Sequence, residues 1–130
     1  MLPDSGALAP RDLIERTRLF SLAVLRFCRT LPNTREAQEI AEQLRSASNS
    51  VRLNYRAARR GRSYAEFKAK LGVVFEEADE SAECLRLLRD AGIRHDPALV
   101  QEAEELARIF AASVRTAGRN GRRWKNDTDS

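Results

Sequence analysis

Five carboxylates crowd one stretch of this chain: Glu76, Glu77, Asp79, Glu80 and Glu83. On a helix, Glu76, Glu80 and Glu83 fall on one face, at i, i+4 and i+7. Carboxylates spaced this way can hold a metal ion between helices, but a di-iron bundle also needs Glu-x-x-His on two of them. The single histidine, His95, stands just before Asp96-Pro97, outside any such motif, and reads as a solvated loop residue. The acidic run therefore reads as structural, with Glu76, Glu80 and Glu83 pairing with arginines of the preceding helix or of a neighbouring subunit. No nucleophile–base pair, Gly-rich phosphate loop or zinc spacing occurs. No catalytic residue, metal or cofactor is expected, and the chain reads as a non-enzyme. Cys28 and Cys84 are isolated within helical patterns, as befits small buried thiols in a reducing compartment. There is no Cys-x-x-Cys motif, although a disulfide stays open at this point.

The basic residues offer a different chemistry. Arg52, Arg56, Arg59, Arg60 and Arg62 gather around the break Arg60-Gly61-Arg62-Ser63, with Lys68 and Lys70 just beyond. Arg115, Arg119, Arg122 and Arg123 gather near the C-terminus beside Trp124. Cations at this density suit phosphates, and a tryptophan suits stacking on an unpaired base. These residues are the candidate contacts for RNA or DNA. Two other readings stand beside this one. Arginines near helix C-termini complement the helix dipole, and a basic surface also fits the acidic surface of another subunit. Trp124 fits equally well as a cover over the end of the bundle.

The elements that position these side chains are helices. Alanine, leucine, arginine and glutamate are abundant, and aromatics make up only 6% of the 130 residues. A first helix is expected from about Arg11 to Thr30, with the stripe Leu13, Thr17, Phe20, Val24, Phe27 and Leu31. Leu31-Pro32-Asn33 stops it. The second begins after Asn33 or Thr34, where Asn33 and Glu36 resemble a capping box. Its stripe runs from Ala37 to Ala58, and small residues dominate it. Asn54 lies in that stripe, as a residue that fixes helix register or one that binds directly. Gly61 is expected to end this helix in a left-handed conformation.

Ser63 and Glu66 fit the Ser-x-x-Glu start of a third helix, which Gly92 ends. Asp96-Pro97 opens a fourth, with Leu99, Ala103, Leu106, Phe110 and Val114 as its stripe and Gly118 as its stop. Short connections make these antiparallel neighbours, so the expected fold is all-α, an up-down-up-down four-helix bundle. Residues 1–10 read as a flexible leader, 11–118 as the bundle and 119–130 as a basic flexible tail. This topology places residues 11–20, 50–74 and 108–126 at one pole, where sixteen basic side chains stand against three acidic ones. The chain as a whole carries only +4. No apolar run reaches the ~18–20 residues of a membrane span, and the first residues lack a signal-peptide core. A cytoplasmic location is expected.

Several runs resemble a known family. Gln43-Leu44-Arg45-Ser46-Ala47-Ser48-Asn49-Ser50-Val51-Arg52-Leu53-Asn54-Tyr55-Arg56-Ala57-Ala58 is similar to the second-helix signature of the bacterial 23S rRNA intervening-sequence proteins. Arg62-Ser63-Tyr64-Ala65-Glu66-Phe67-Lys68-Ala69-Lys70-Leu71 is similar to their third-helix start. Glu76–Ser81 resembles an acidic run in one branch, and Glu105–Phe110 resembles that branch's fourth helix. Many members have Asn-Ile-Ala-Glu-Gly where this chain has Asn54-Tyr55-Arg56-Ala57-Ala58, and Cys84 replaces a common Trp, so the role of that Glu does not carry over. The resemblance implies a non-enzymatic bundle, commonly a homo-oligomer in the form of a pentamer. It also implies a relation to the accessory variability determinant of diversity-generating retroelements, a basic barrel that binds reverse transcriptase and nucleic acid. An adaptor role toward a reverse transcriptase is thus the alternative to nucleic-acid binding.

Overall fold

Helical periodicity builds the whole of the described chain. The computed structural model describes the backbone of residues 10–128 and the side chains of residues 12–119. Residues 1–9 of the expected leader, and the side chains of Arg122, Arg123 and Trp124, lie outside what is described. The elements are α1 (Pro10–Cys28), α2 (Arg35–Arg59), α3 (Tyr64–Asp90) and α4 (Pro97–Thr128). Among the described residues there is no strand, and no helix is long and apolar enough to cross a membrane.

The four apolar stripes meet in one core. From α1 it takes Leu13, Phe20, Val24 and Phe27, and from α2 Ala41, Leu44, Val51 and Tyr55. From α3 it takes Leu71, Val74, Leu85 and Leu88, and from α4 Leu99, Ala103, Leu106 and Phe110. The Tyr55 and Phe110 rings meet at 5.4 Å across the core. Small side chains let the backbones approach. Ser21 Oγ on α1 donates to the Ser48 carbonyl on α2 at 2.9 Å, and Cys28 lies 3.9 Å from the Ala41 carbonyl. These pairs make α1 and α2 antiparallel. α2 and α3 share the most extensive contact, whereas α1 meets α4 over the shortest seam of the adjacent pairs.

Helix ends follow local chemistry, with some differences from the sequence reading. The cap of α2 is Thr34, not Asn33. Its side chain accepts from the Ala37 N–H at 3.3 Å. A threonine hydroxyl in extended geometry satisfies a donor that the first turn leaves open. At α3, Ser63 accepts from Glu66 N at 3.1 Å, and Glu66 reaches back to Arg62 N at 3.3 Å. The reciprocal pair therefore forms one residue further out than in the usual box. Asp96 caps α4 through the Leu99 N–H at 3.1 Å.

Gly61 is not left-handed, because Gly92, at φ 71°, is the one positive-φ glycine among the described residues. What Gly61 supplies is room. A Cβ there would sit 3.2 Å from the Ala58 carbonyl oxygen and 3.3 Å from Phe67 N. Gly92 closes α3 in a Schellman turn. Ile93 N donates to Leu88 O at 3.0 Å, Gly92 N donates to Arg89 O at 3.0 Å, and Ile93 packs on the core.

Gly118 does not stop α4. The helix continues to Thr128, so the expected flexible tail is helical through most of its length. A mid-helix glycine costs about 1 kcal/mol relative to alanine, which weakens a helix without forbidding it.

Candidate nucleic-acid interface

The arginines of α2 share a flank with a defined direction. Arg45, Asn49, Arg52, Arg56 and Arg59 each follow a buried or core-facing residue by one position, at i, i+4, i+7, i+11 and i+14. This row faces α1. Arg45 and Asn49 line a groove of about 380 Å³ with Ser21 and Leu25 of α1 and with Ser46 and Ser48. Arg52 continues the row, its Nη2 donating to Asn49 Oδ1 at 2.7 Å. Arg56 and Arg59 are exposed. The Arg45 guanidinium stands close enough to Cys28 to lower its thiol pKa, although burial is the larger effect and leaves that pKa raised. Cys84 is pushed up to about 11, by burial first and then by Glu80 and Glu83. Both cysteines are free and buried, and near neutral pH both stay protonated.

The remaining candidates divide among other surfaces. Arg60 and Arg62 are exposed at the α2–α3 turn. Lys70 is half-buried, one heptad before Glu77 on the α2–α3 side. Lys68 falls one heptad before Phe75, on the α3–α4 side, where Phe75 and Arg108 share a groove. Arg115 and Arg119 are exposed on α4, and Tyr64 Oη bonds the Ala117 carbonyl beside them. The structure thus brings Arg52, Arg56 and Arg59 into one row and sets the others on neighbouring flanks. Arg45 and Asn49 extend that row, and sequence reasoning missed them as site residues. The signal was present in their spacing from Arg52.

One cation counted toward the basic pole is not available there. Arg16 is 3% exposed and forms a two-pronged pair with Glu102 of α4, Nε to Oε2 at 2.8 Å and Nη2 to Oε1 at 2.6 Å. Glu105 approaches at 3.4 Å. The hydrogen bonds that Arg16 donates to Glu102 raise its pKa against the opposing effect of burial, so the guanidinium stays charged. Arg18 is also engaged, in an exposed pair with Glu15 at 2.8 Å.

Within the described residues of the chain, the acidic run does not meet the α2 arginines that are one of its two expected sets of partners. Arg45 is turned toward α1, where it lines the groove with Ser21 and Leu25. The α2 flank toward α3 carries acidic side chains of its own, beside the neutral Gln43, Ser46 and Ala47. Glu39 and Glu42 line a cleft of about 500 Å³ with Glu77 and Glu80. Burial, then Glu80 and Glu76, raise the Glu77 pKa. Among the described residues no ion pair joins Glu76 or Glu80 to an α2 arginine. Glu83 pairs within its own helix with Arg86 at 2.7 Å, and Arg86 reaches Glu104 of α4 at 3.1 Å. Among the described residues no cluster of three His, Cys, Asp or Glu side chains is placed to hold a metal ion. Asn54 is half-buried and donates to Ser50 O and Ser50 Oγ, both at 2.9 Å. It bonds to its own helix, one turn back. α2 therefore carries positive charge on the flank toward α1 and negative charge on the flank toward α3.

Comparison with known proteins adds to this geometry. The family model described as 23S rRNA-intervening sequence protein matches residues 11–112, ending within α4. Among solved structures, this chain is similar to a protein of unknown function from the S23 ribosomal protein family of Bacteroides thetaiotaomicron. The TM-score is 0.72 at 20% sequence identity, covering 82% of this chain and 97% of that one. At that identity the likeness shows the fold. No curated protein matches.

Proposed function

This chain belongs to the 23S rRNA-intervening sequence protein family, and from that premise we propose that it is a non-enzymatic nucleic-acid-binding protein working through the arginine flank of α2. The observation that carries this reading is the row Arg45, Arg52, Arg56 and Arg59, which lies on one rigid helix with the acidic side chains turned to the opposite flank. A helix holds its cations at fixed spacing, so ordering them on binding costs little. Each phosphate neutralised releases counterions, and this drives association at low salt. The turn residues Arg60 and Arg62, with Lys68, Lys70, Arg115 and Arg119, extend the positive field around that end of the bundle. Titration of a fluorescent RNA or DNA oligonucleotide at falling salt tests the reading. Saturable binding that weakens steeply as salt rises is expected, and no binding at low salt would overturn it.

The acidic cleft between α2 and α3 carries a second reading. Its charge is complementary to the arginine flank, and this favours head-to-tail contact between copies of the chain as a homo-oligomer. Light scattering at micromolar concentration separates the two readings. Under the second, the particle mass is several times 14.7 kDa and collapses when Arg52, Arg56 and Arg59 are neutralised. A mass that ignores those substitutions leaves the arginines free for nucleic acid.

A further inference from the structure

α4 is the longest helix, at 32 residues against 27 for α3, and it outruns the bundle. Tyr64, the first residue of α3, bonds the Ala117 carbonyl through its hydroxyl. Among the described residues Ala117 is also the last of α4 to join the core. From there the helix continues to Thr128, about 16 Å along its own axis at 1.5 Å per residue. α1 stops short of this level. Its first residue, Pro10, lies about 9 Å along the axis from Arg16, whereas Ala117 lies about 22 Å from Glu102, the partner of Arg16. α2 ends at Arg59, and residues 60–63 connect it to α3. The end of α4 therefore projects past the ends of the other three helices.

The sequence gives this projecting end little of its own to hold a helix. Gly118 and Gly121 are poor helix formers. Arg115 with Arg119, Arg119 with Arg122 and Arg123, and Arg122 with Lys125 stand three or four residues apart. Like charges at those spacings oppose the helix. No carboxylate occurs between Glu105 and Asp127 to offset them. A polyanion reverses this balance. Phosphates beside the cations remove the repulsion, and the helical form sets the cations at fixed intervals for them.

We infer that residues 118–128 of α4 form an arm whose helix is stabilised by the nucleic-acid phosphates it contacts, so that binding and helix formation are coupled. The inference rests on the nucleic-acid reading above and extends it from the α2 flank to α4. Arg59, Arg60 and Arg62 are exposed at the same end of the bundle, as are Arg115 and Arg119 at the root of the arm. A ligand held along α2 thus meets the arm without leaving the basic end. A ligand that binds the helical arm better than the unwound arm shifts it toward helix, and the apparent affinity falls with the fraction that is unwound. A substitution that favours the helix at unchanged charge must then tighten binding. Gly118 offers one, because a Cβ there meets no atom within 4 Å.

The test uses the full chain, with short fluorescent RNA and DNA oligonucleotides in separate titrations. Gly118→Ala is expected to bind about threefold to fivefold tighter than the parent, at the same salt slope. Gln at Arg119, Arg122 and Arg123 together is expected to weaken binding about tenfold and to lower the slope of log K against log salt by about two. Inorganic polyphosphate, which is silent in the far ultraviolet, reads the coupling by circular dichroism. The parent is expected to gain helix as polyphosphate saturates it, and Gly118→Ala to gain less because its arm is already wound. Trp124, the one tryptophan of the chain, lies in the arm, and its emission is expected to change over the same titration. Thermal melts confirm the fold of each variant. Oligonucleotide binding that Gly118→Ala leaves unchanged, or polyphosphate binding without a gain of helix, overturns this inference while the α2 reading stands. No binding of any oligonucleotide at low salt overturns both.

Discussion

Arg16→Ala is expected to lower the unfolding free energy by about 3–5 kcal/mol, and Glu102→Ala by a similar amount. Both charges lie out of water, Arg16 at 3% and Glu102 at 6% exposure, and each is the other's main compensation. Removing one leaves the other as an uncompensated buried ion, and Arg16 Nη1 already has no hydrogen-bond partner. The loss corresponds to a fall in Tm of roughly 10–20 °C for a domain of this size. The double variant Arg16→Met with Glu102→Leu is expected to recover most of the loss, since packed apolar groups replace a buried pair at little cost. Thermal melts of the double variant beside its own singles, Arg16→Met and Glu102→Leu, measure the coupling. Single variants within about 1 kcal/mol of the parent would show that the pair is solvated in solution. The pair matters to function because it lies on the shortest seam of the bundle, between α1 and α4. Leu25 and Ser21, which wall the groove, are carried on α1.

The second large effect is on binding. Neutralising Arg52, Arg56 and Arg59 together to Gln is expected to reduce nucleic-acid affinity by about a hundredfold or more at low salt. It should also lower the slope of log K against log salt by about two, at ~0.7 per single-strand phosphate contact. Arg56 and Arg59 are exposed and Arg52 is half-buried at the surface. Gln keeps helix propensity close to that of Arg, so stability is expected to change little. The same substitutions at Arg35, Arg89 and Arg94, which lie away from this row, provide the control. An equal loss in both triples would mean that net charge, not the row, sets the affinity.

Much of the fold could be read from the chain because 3.6-residue periodicity is a strong signal. Leu13, Phe20, Val24 and Phe27 in α1, and Leu99, Ala103, Leu106 and Phe110 in α4, are buried where their spacing requires. The capping residues Ser63 and Asp96 also stand where their types place them. Three features were not legible, each for a physical reason. Axial level followed from antiparallel pairing, but rotation about the helix axis did not, so Arg45 turned toward α1 and left Glu77 and Glu80 facing Glu39 and Glu42. Arg16 read as a surface charge because its partner lies 86 residues away. Its place between Leu13 and Phe20, matched by Glu102 between Leu99 and Leu106, was the available clue. Glycine has several uses, and only neighbouring geometry separates the close approach at Gly61 from the left-handed turn at Gly92 and the uninterrupted helix at Gly118. For the site, the residue types were legible, but the row and its groove required the packing of α1 on α2.

The most direct test of the central claim is the salt dependence of binding of a single-stranded oligonucleotide to the full chain, between about 50 and 200 mM monovalent salt. With three to five phosphates engaged, log K is expected to fall linearly with log salt at a slope of about −2 to −3.5. A flat slope, or no measurable binding at the low end, would contradict a phosphate-tracking arginine flank on α2.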